Sequence, residues 1–132
     1  MRRIFGAGAS ATPLVVNADT VFRIARGDSV LGFALVRAVK GKDQPITFLV
    51  ATDAADRLRD IDILVYREPY GGEVAYDAWR RQFRGKSVDD QLEVGRDIRS
   101  ISGATISVNA VTLGVRRALG DLTTWHRTGV IK

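Results

Sequence analysis

The sequence has 132 residues, a formal net charge of +5, no cysteine and a single histidine, His126. A chain of this length can fold as one domain, burying roughly 65–70% of its surface around an ordinary hydrophobic core. The lack of cysteine excludes disulfides, thiolate catalysis, iron–sulfur clusters and c-type haem, and one histidine excludes multi-histidine zinc sites and bis-histidine haem. A redox function would therefore need an organic cofactor.

The first sixteen residues, MRRIFGAGASATPLVV, carry two arginines and then mix small apolar residues with Gly, Ser, Thr and Pro13. These interruptions do not fit the continuous apolar segment of a secretory leader. No segment of the sequence has the apolar length of a membrane span. We expect either that a leader was removed before this numbering or that the chain is not exported. Residues 1–18 and 121–132 are interpreted as segments that flank the main part of a single domain.

Apolar and alternating runs predict four consecutive strands on short turns. Gly-Asp suits a tight hairpin, so we interpret Arg26-Gly27-Asp28 as a turn and not as an integrin-binding tripeptide. Short connections between successive strands are typical of an antiparallel sheet. The predicted strands cover residues 20–25, 29–40, 46–51 and 58–66.

The fourth predicted strand alternates apolar and acidic side chains. Such alternation is typical of an antiparallel strand with one face on the core and the other in water. We therefore expect Ile61, Ile63 and Val65 to face the core, and Asp60 and Asp62 to face solvent.

A short aromatic helix is predicted after an irregular loop at residues 67–72. Tyr76, Trp79 and Phe83 are spaced at i, i+3 and i+7, and Gly85 suits the position after the last turn. A stripe of this kind is more often core than cofactor site. Residues 97–101 approach the core again as a short predicted strand.

A longer helix is predicted over residues 107–119. Arg116 and Arg117 would lie near its C-terminus, where cations suit the helix dipole. The predicted fold is α+β: an antiparallel sheet of about four to five strands, with the short aromatic helix and this longer helix packed on it. The predicted buried face of the longer helix consists of Val108, Val111, Val115 and Leu119.

Small residues precede the longer helix in the run Ser102-Gly103-Ala104-Thr105. A helix N-terminus presents free N–H groups and partial positive charge, so it can bind a phosphate, and two hydroxyls could add to that site. Ser and Thr also cap helices without binding a ligand. Neither a GxGxxG fingerprint nor a Walker Gly-Lys-Thr element is present. The local sequence leaves capping and anion binding open.

The run SISGATIS, residues 100–107, resembles the flavinylation motif of the FMN-binding domain family. This domain occurs in one subunit each of the sodium-translocating NADH:quinone oxidoreductase and the Rnf complex, and in the membrane-bound regulator of nitrous-oxide reduction. The resemblance extends to the family's opening sheet (residues 27–53), its cofactor-side glycine loop (residues 62–74) and the short helix that follows (residues 79–87). It covers residues 20–119 in the family's order.

The resemblance implies an FMN joined to Thr105 as a phosphoester, attached by a separate magnesium-dependent flavin transferase that uses FAD as donor. It also implies an electron-carrier module rather than a self-contained enzyme, on the extracytoplasmic side of a membrane. Its partner would be a redox protein or a membrane-bound electron-transfer complex. The predicted cofactor-binding residues are Thr105, Ser102, Gly103, Ala104, Ser107, Arg99, Tyr70, Gly71 and Gly72.

Arg99 departs from the family pattern, which usually has Asp three residues before the motif serine. A guanidinium at this position could pair with the phosphate and hold FMN without a covalent bond. The sequence also leaves open a flavin-free sensory module of the same fold and a basic module for nucleic acid or an anionic surface. The charges are scattered, whereas a nucleic-acid surface usually clusters its cations, so nucleic acid is not the expected partner.

Overall fold

The computed structural model describes residues 2–132. Within these residues, five strands form one antiparallel sheet in which every strand pairs with its neighbour along the chain. The strands are β1, Ser10–Val16; β2, Asp19–Arg26; β3, Ser29–Lys40; β4, Pro45–Asp53; and β5, Leu58–Val65. The helices are α1, Arg2–Phe5; α2, Asp77–Arg80; and α3, Thr105–Arg127, with 3₁₀ turns at Gly72–Ala75 and Arg81–Phe83.

The α+β fold and the four predicted strands are confirmed, the strands as β2 to β5. The edge strand β1 was not predicted, because it lies in the N-terminal segment that was interpreted as a flank. Most of β1 is exposed, and Pro13 within it has no N–H to donate to a ladder. Edge strands tolerate both features, and these same features hide the strand from sequence patterning.

Helix α3 packs across one face of the sheet. Its predicted buried face is confirmed, since Val108, Val111, Val115 and Leu119 are all 0% exposed. The helix extends beyond the prediction at both ends, so Arg116 and Arg117 lie in its middle and not near its C-terminus. None of the helices formed by residues 2–132 is long and apolar enough to cross a membrane.

The opposite face of the sheet is partly covered by α1. Phe5 is 2% exposed and belongs to a second apolar cluster on this face. This cluster shows that the N-terminal segment contributes to the packing of the domain. Its buried members besides Phe5 are Ile24, Ala34, Leu49 and Ala51.

The prediction that Asp60 faces water is wrong, as is the prediction that Val65 faces the core. Asp60 is only 5% exposed, and Arg3, Arg80 and Arg84 contact its carboxylate at 2.8, 3.5 and 3.3 Å. Val65 is 37% exposed at the end of β5. Alternation predicted the two faces of the strand, but arginines from distant segments also bury the acidic face.

The aromatic segment is built from short turns around α2. Trp79 and Phe83 are buried with their ring centroids 5.1 Å apart, whereas Tyr76 is 64% exposed and does not join the core. The short strand predicted at residues 97–101 is absent from this part of the structure, where Val94 and Ile98 form only an isolated bridge. Residues 97–101 are instead irregular, and they return the chain to the sheet before α3 begins.

Candidate functional site

A cavity of about 420 Å³ lies where three segments meet: the β3–β4 turn, the loop after β5 and the start of α3. Its volume falls within the range of small-molecule sites. The antiparallel order of the strands brings the first two segments to the same end of the sheet. The lining residues are Lys42, Asp43, Glu68, Pro69, Tyr70, Gly103, Ala104, Thr105, Ile106 and Ser107.

The small residues before α3 form a tight turn. The Ala104 N–H donates to the Ile101 carbonyl at 3.0 Å, and Gly103 adopts a φ of 81° within this turn. Glycine adopts such a positive φ without steric cost. Ala104 occupies the N-cap position, and its side chain makes no capping hydrogen bond. Ser102 therefore does not act as the helix cap.

Thr105 is exposed at the first position of α3. The Val108 N–H donates to the Ala104 carbonyl at 2.9 Å. This is the first backbone hydrogen bond of the helix. The N–H groups of Thr105, Ile106 and Ser107 come before Val108 in the chain, so they have no acceptor inside the helix. Together with the helix dipole they give this wall of the cavity a positive potential that favours an anion.

Glu68 joins the loop after β5 to the β3–β4 turn. Its Oε1 accepts hydrogen bonds from the N–H groups of Asp43 at 2.7 Å and Gln44 at 2.8 Å. The bonds from Gln44 and Asp43 lower the pKa of Glu68 below its ordinary value, because they favour the charged carboxylate. Two walls of the cavity are therefore held together by one carboxylate.

Tyr66 joins the same loop to the start of α3. Its hydroxyl contacts the Tyr70 carbonyl and lies 2.7 Å from the Ser107 hydroxyl. Gly71 packs against this pair with a φ of 90°, and a Cβ at that position would lie 2.7 Å from Ser107 Oγ. Both the backbone conformation and the close approach therefore require glycine.

The structure brings five of the nine predicted site residues to the cavity wall. Gly71 lies beside Ser107, outside the lining. Gly72 begins a 3₁₀ turn, and Ser102 is exposed in the turn before α3. The five lining residues are Tyr70, Gly103, Ala104, Thr105 and Ser107.

Arg99 lies in a different place, a second cleft of about 340 Å³ that also contains Tyr76 and Trp79. Its backbone is held on both sides, because its N–H donates to Gln82 Oε1 and its carbonyl accepts from Trp79 Nε1, each at 2.7 Å. Arg99 is not among the residues that line the cavity at Thr105.

Sequence reasoning missed the other half of the cavity lining. Glu68 and Pro69 lie in the irregular loop at residues 67–72, so that loop was the available signal. Ile106 directly follows Thr105, but an apolar residue at a helix start does not by itself indicate a binding site. Lys42 and Asp43 give no local signal, because only the register of the sheet brings their turn to α3.

The comparisons with known proteins identify the class: the chain belongs to the FMN-binding domain family, whose model matches residues 41–120. This range contains all three walls of the cavity. The chain is also similar to one subunit of the proton-translocating ferredoxin:NAD(+) oxidoreductase complex of Clostridium ljungdahlii, with 31% identity over 108 residues. That match covers 76% of this chain and 58% of the relative, so the chain spans less than two thirds of the relative's length.

Proposed function

We propose that this domain carries one FMN, bound through its phosphate to Thr105, and transfers electrons between redox partners. The observation that supports this most directly is the position of Thr105, exposed at a helix N-terminus that borders a cavity of about 420 Å³. The cavity fits the cofactor chemically, because free N–H groups suit the phosphate and Pro69, Tyr70 and Ile106 offer apolar surface for the ring.

The attachment step would need an outside enzyme. The Thr105 hydroxyl makes no hydrogen bond to any of residues 2–132, and a threonine hydroxyl is a poor nucleophile without activation. We propose that a magnesium-dependent flavin transferase supplies the base and the FAD. Thr105 Oγ1 then bonds to the FMN phosphorus, the pyrophosphate bond of FAD breaks, AMP leaves and the hydroxyl proton passes to the transferase.

Bound FMN would supply the electron-transfer chemistry, and this needs no protein acid or base. The protein's part is to hold the group and limit its contact with water. The N–H groups at the start of α3 would face the phosphate, and Lys42 adds a cation at the same cavity. Glu68 and Tyr66 would keep the remaining walls in place through the hydrogen bonds described above.

The partners and location that we propose follow from similarity. The Clostridium ljungdahlii relative is named as a subunit of a ferredoxin:NAD(+) oxidoreductase complex that translocates protons. We therefore propose that this domain exchanges electrons with a redox protein or a membrane-bound complex, on the extracytoplasmic side. We assign Arg99 no contact with the phosphate, since it lies in the second cleft.

The test is the intact mass of the denatured protein after co-expression, in an exported form, with a flavin transferase. Wild-type protein should gain one FMN less one water, and Thr105→Ala should gain nothing because the acceptor oxygen is gone. Ser102→Ala is the matched control, since it removes an exposed hydroxyl three residues away and should leave the gain intact.

Two outcomes would contradict the proposal in different ways. An unmodified mass in protein that purifies yellow would show that FMN is held without a covalent bond. An unmodified and colourless wild-type protein would refute the proposal that the domain carries a flavin.

A further inference from the structure

We infer that Tyr66 is a positioning residue of the flavin site, and that its hydroxyl makes Ser107 an acceptor rather than a donor toward the cofactor. This inference rests on the proposed function. It comes from a chain of two hydrogen bonds that crosses the cavity wall, from Ser107 in the first turn of α3 to Tyr66 and on to the Tyr70 carbonyl.

The direction of both hydrogen bonds follows from the groups involved. A carbonyl oxygen can only accept, so Tyr66 donates its single hydroxyl proton to Tyr70. Tyr66 then has no proton left for Ser107, although its oxygen can still accept. Ser107 must therefore donate to Tyr66 across the 2.7 Å between their oxygens.

The consequence concerns what Ser107 can offer to a ligand. Its only hydroxyl proton is used inside the protein, so the lone pairs of Oγ are all that it can present to the cavity. A phosphate diester carries no proton at neutral pH and cannot donate to them. Ser107 therefore suits a donor on the cofactor, such as a sugar hydroxyl or a ring N–H, and the phosphate is left to the backbone N–H groups.

The same two bonds fix the spacing of the cavity walls. Tyr70 is 81% exposed and lines the cavity, so its side chain has little packing to hold it. Its carbonyl is instead held by Tyr66, whose ring packs against the hydrophobic core. Gly71 supports this arrangement, because any side chain there would displace Ser107 or Tyr66.

The test is Tyr66→Phe, which keeps the packed ring and removes only the hydroxyl. After flavin loading, we expect bound FMN to become more accessible to iodide, because the wall formed by Tyr70 opens about fivefold more often when one neutral hydrogen bond is lost. The readouts are the intact mass, the quenching of flavin fluorescence by iodide and the midpoint potential of the flavin. Tyr76→Phe is the matched control, since that exposed hydroxyl makes no hydrogen bond within residues 2–132.

A double-mutant cycle distinguishes the relay from independent effects. Ser107→Ala leaves the bond from Tyr66 to the Tyr70 carbonyl in place, so it should raise the quenching constant less than Tyr66→Phe does. The double variant should add little to Tyr66→Phe, because that change already breaks both bonds of the chain. Additive effects would overturn the relay.

The remaining outcomes separate this inference from the function on which it rests. A wild-type protein that takes up no flavin would overturn both the proposed function and this inference. A loaded wild type whose Tyr66→Phe variant matches Tyr76→Phe in quenching and potential overturns this inference alone. That conclusion would hold even if Tyr66→Phe had a lower melting temperature than the wild type, since a loss of stability alone would show only a structural role.

Discussion

At the scale of single residues, Glu68 shows how one carboxylate can tie two cavity walls together. Its carboxylate accepts hydrogen bonds from the N–H groups of Asp43 and Gln44, which follow β3, whereas Glu68 itself follows β5. Because these bonds favour the charged form, the folded protein binds a proton at Glu68 less readily than the unfolded chain does. The stabilisation is thus complete above the ordinary pKa of glutamate and is lost as the pH falls through the lower folded-state value.

We expect the amide resonances of Asp43 and Gln44 to titrate together, with a midpoint below the ordinary pKa of a glutamate side chain. A ¹H–¹⁵N NMR titration measures this directly. Glu68→Gln should abolish the shared transition, because the amide that replaces the carboxylate does not titrate. A midpoint at or above the ordinary glutamate pKa would contradict the role given to these hydrogen bonds.

Single residues differ in how far the sequence could predict their place in the site. Thr105 and its small neighbours were predicted because the whole motif is continuous in sequence. Glu68 and Lys42 were not, because their role depends on strand register that brings a turn from another part of the chain to α3. Arg99 is close to the motif in sequence, yet its backbone bonds to Gln82 and Trp79 hold it at the second cleft.

At the scale of elements, the contact between α3 and the sheet depends on a glycine in the middle of the helix. An added Cβ at Gly114 would lie 2.6 Å from Val39 Cγ1 and 2.8 Å from Phe48 Cζ. Phe48 is 0% exposed, so its ring has little room to move. Gly120 lies in the same helix, and a Cβ there would meet nothing within 4 Å.

Gly114→Ala should therefore reduce the free energy of unfolding by about 1–2 kcal/mol, because overpacking of the core outweighs the better helix propensity of alanine. Gly120→Ala is the control in the same helix and should raise it by up to about 1 kcal/mol. Urea unfolding followed by circular dichroism measures both. Equal stabilisation by the two substitutions would show that the helix does not approach the sheet as closely as described.

The elements themselves were predictable where apolar patterning decides them, as it does for β2 to β5 and for the buried face of α3. The end of α3 was missed because its last turns depend on tertiary contacts. His126 Nδ1 lies 2.6 Å from Asp56 Oδ1, and the Arg37 guanidinium lies over the Trp125 ring at 5.9 Å. Neither contact has a periodic signal in the sequence.

At the scale of the whole molecule, Asp60 connects segments that are far apart in the chain. Its carboxylate forms ion pairs with Arg3 of α1, Arg80 of α2 and Arg84 of the following segment. Burial alone would raise the pKa of Asp60, but hydrogen bonds from Arg3, the Ile61 N–H and Arg84 outweigh it and lower the pKa below its ordinary value. Its contribution to stability is therefore present above the ordinary aspartate pKa and is lost as the pH falls.

Asp60→Asn should lower the free energy of unfolding by about 3 kcal/mol, because it leaves the buried Arg80 guanidinium beside a neutral group. Asp62→Asn is the matched control on the same strand, since among residues 2–132 the Asp62 carboxylate forms an ion pair with Arg3 alone, and it is more exposed than Asp60. That substitution should cost under about 1 kcal/mol. Urea unfolding of both variants at neutral pH checks the difference, and equal losses would refute a central role for Asp60.

The exposed position of Thr105 also bears on the order in which the finished protein is made. Thr105 and Ile106 are exposed between the buried residues Ala104 and Ser107, so an enzyme can reach the threonine hydroxyl without opening the hydrophobic interior. Under the proposed function, folding can then come first and cofactor loading second. A cell short of flavin would accumulate a folded, colourless precursor that could be completed later, instead of a misfolded chain destined for degradation.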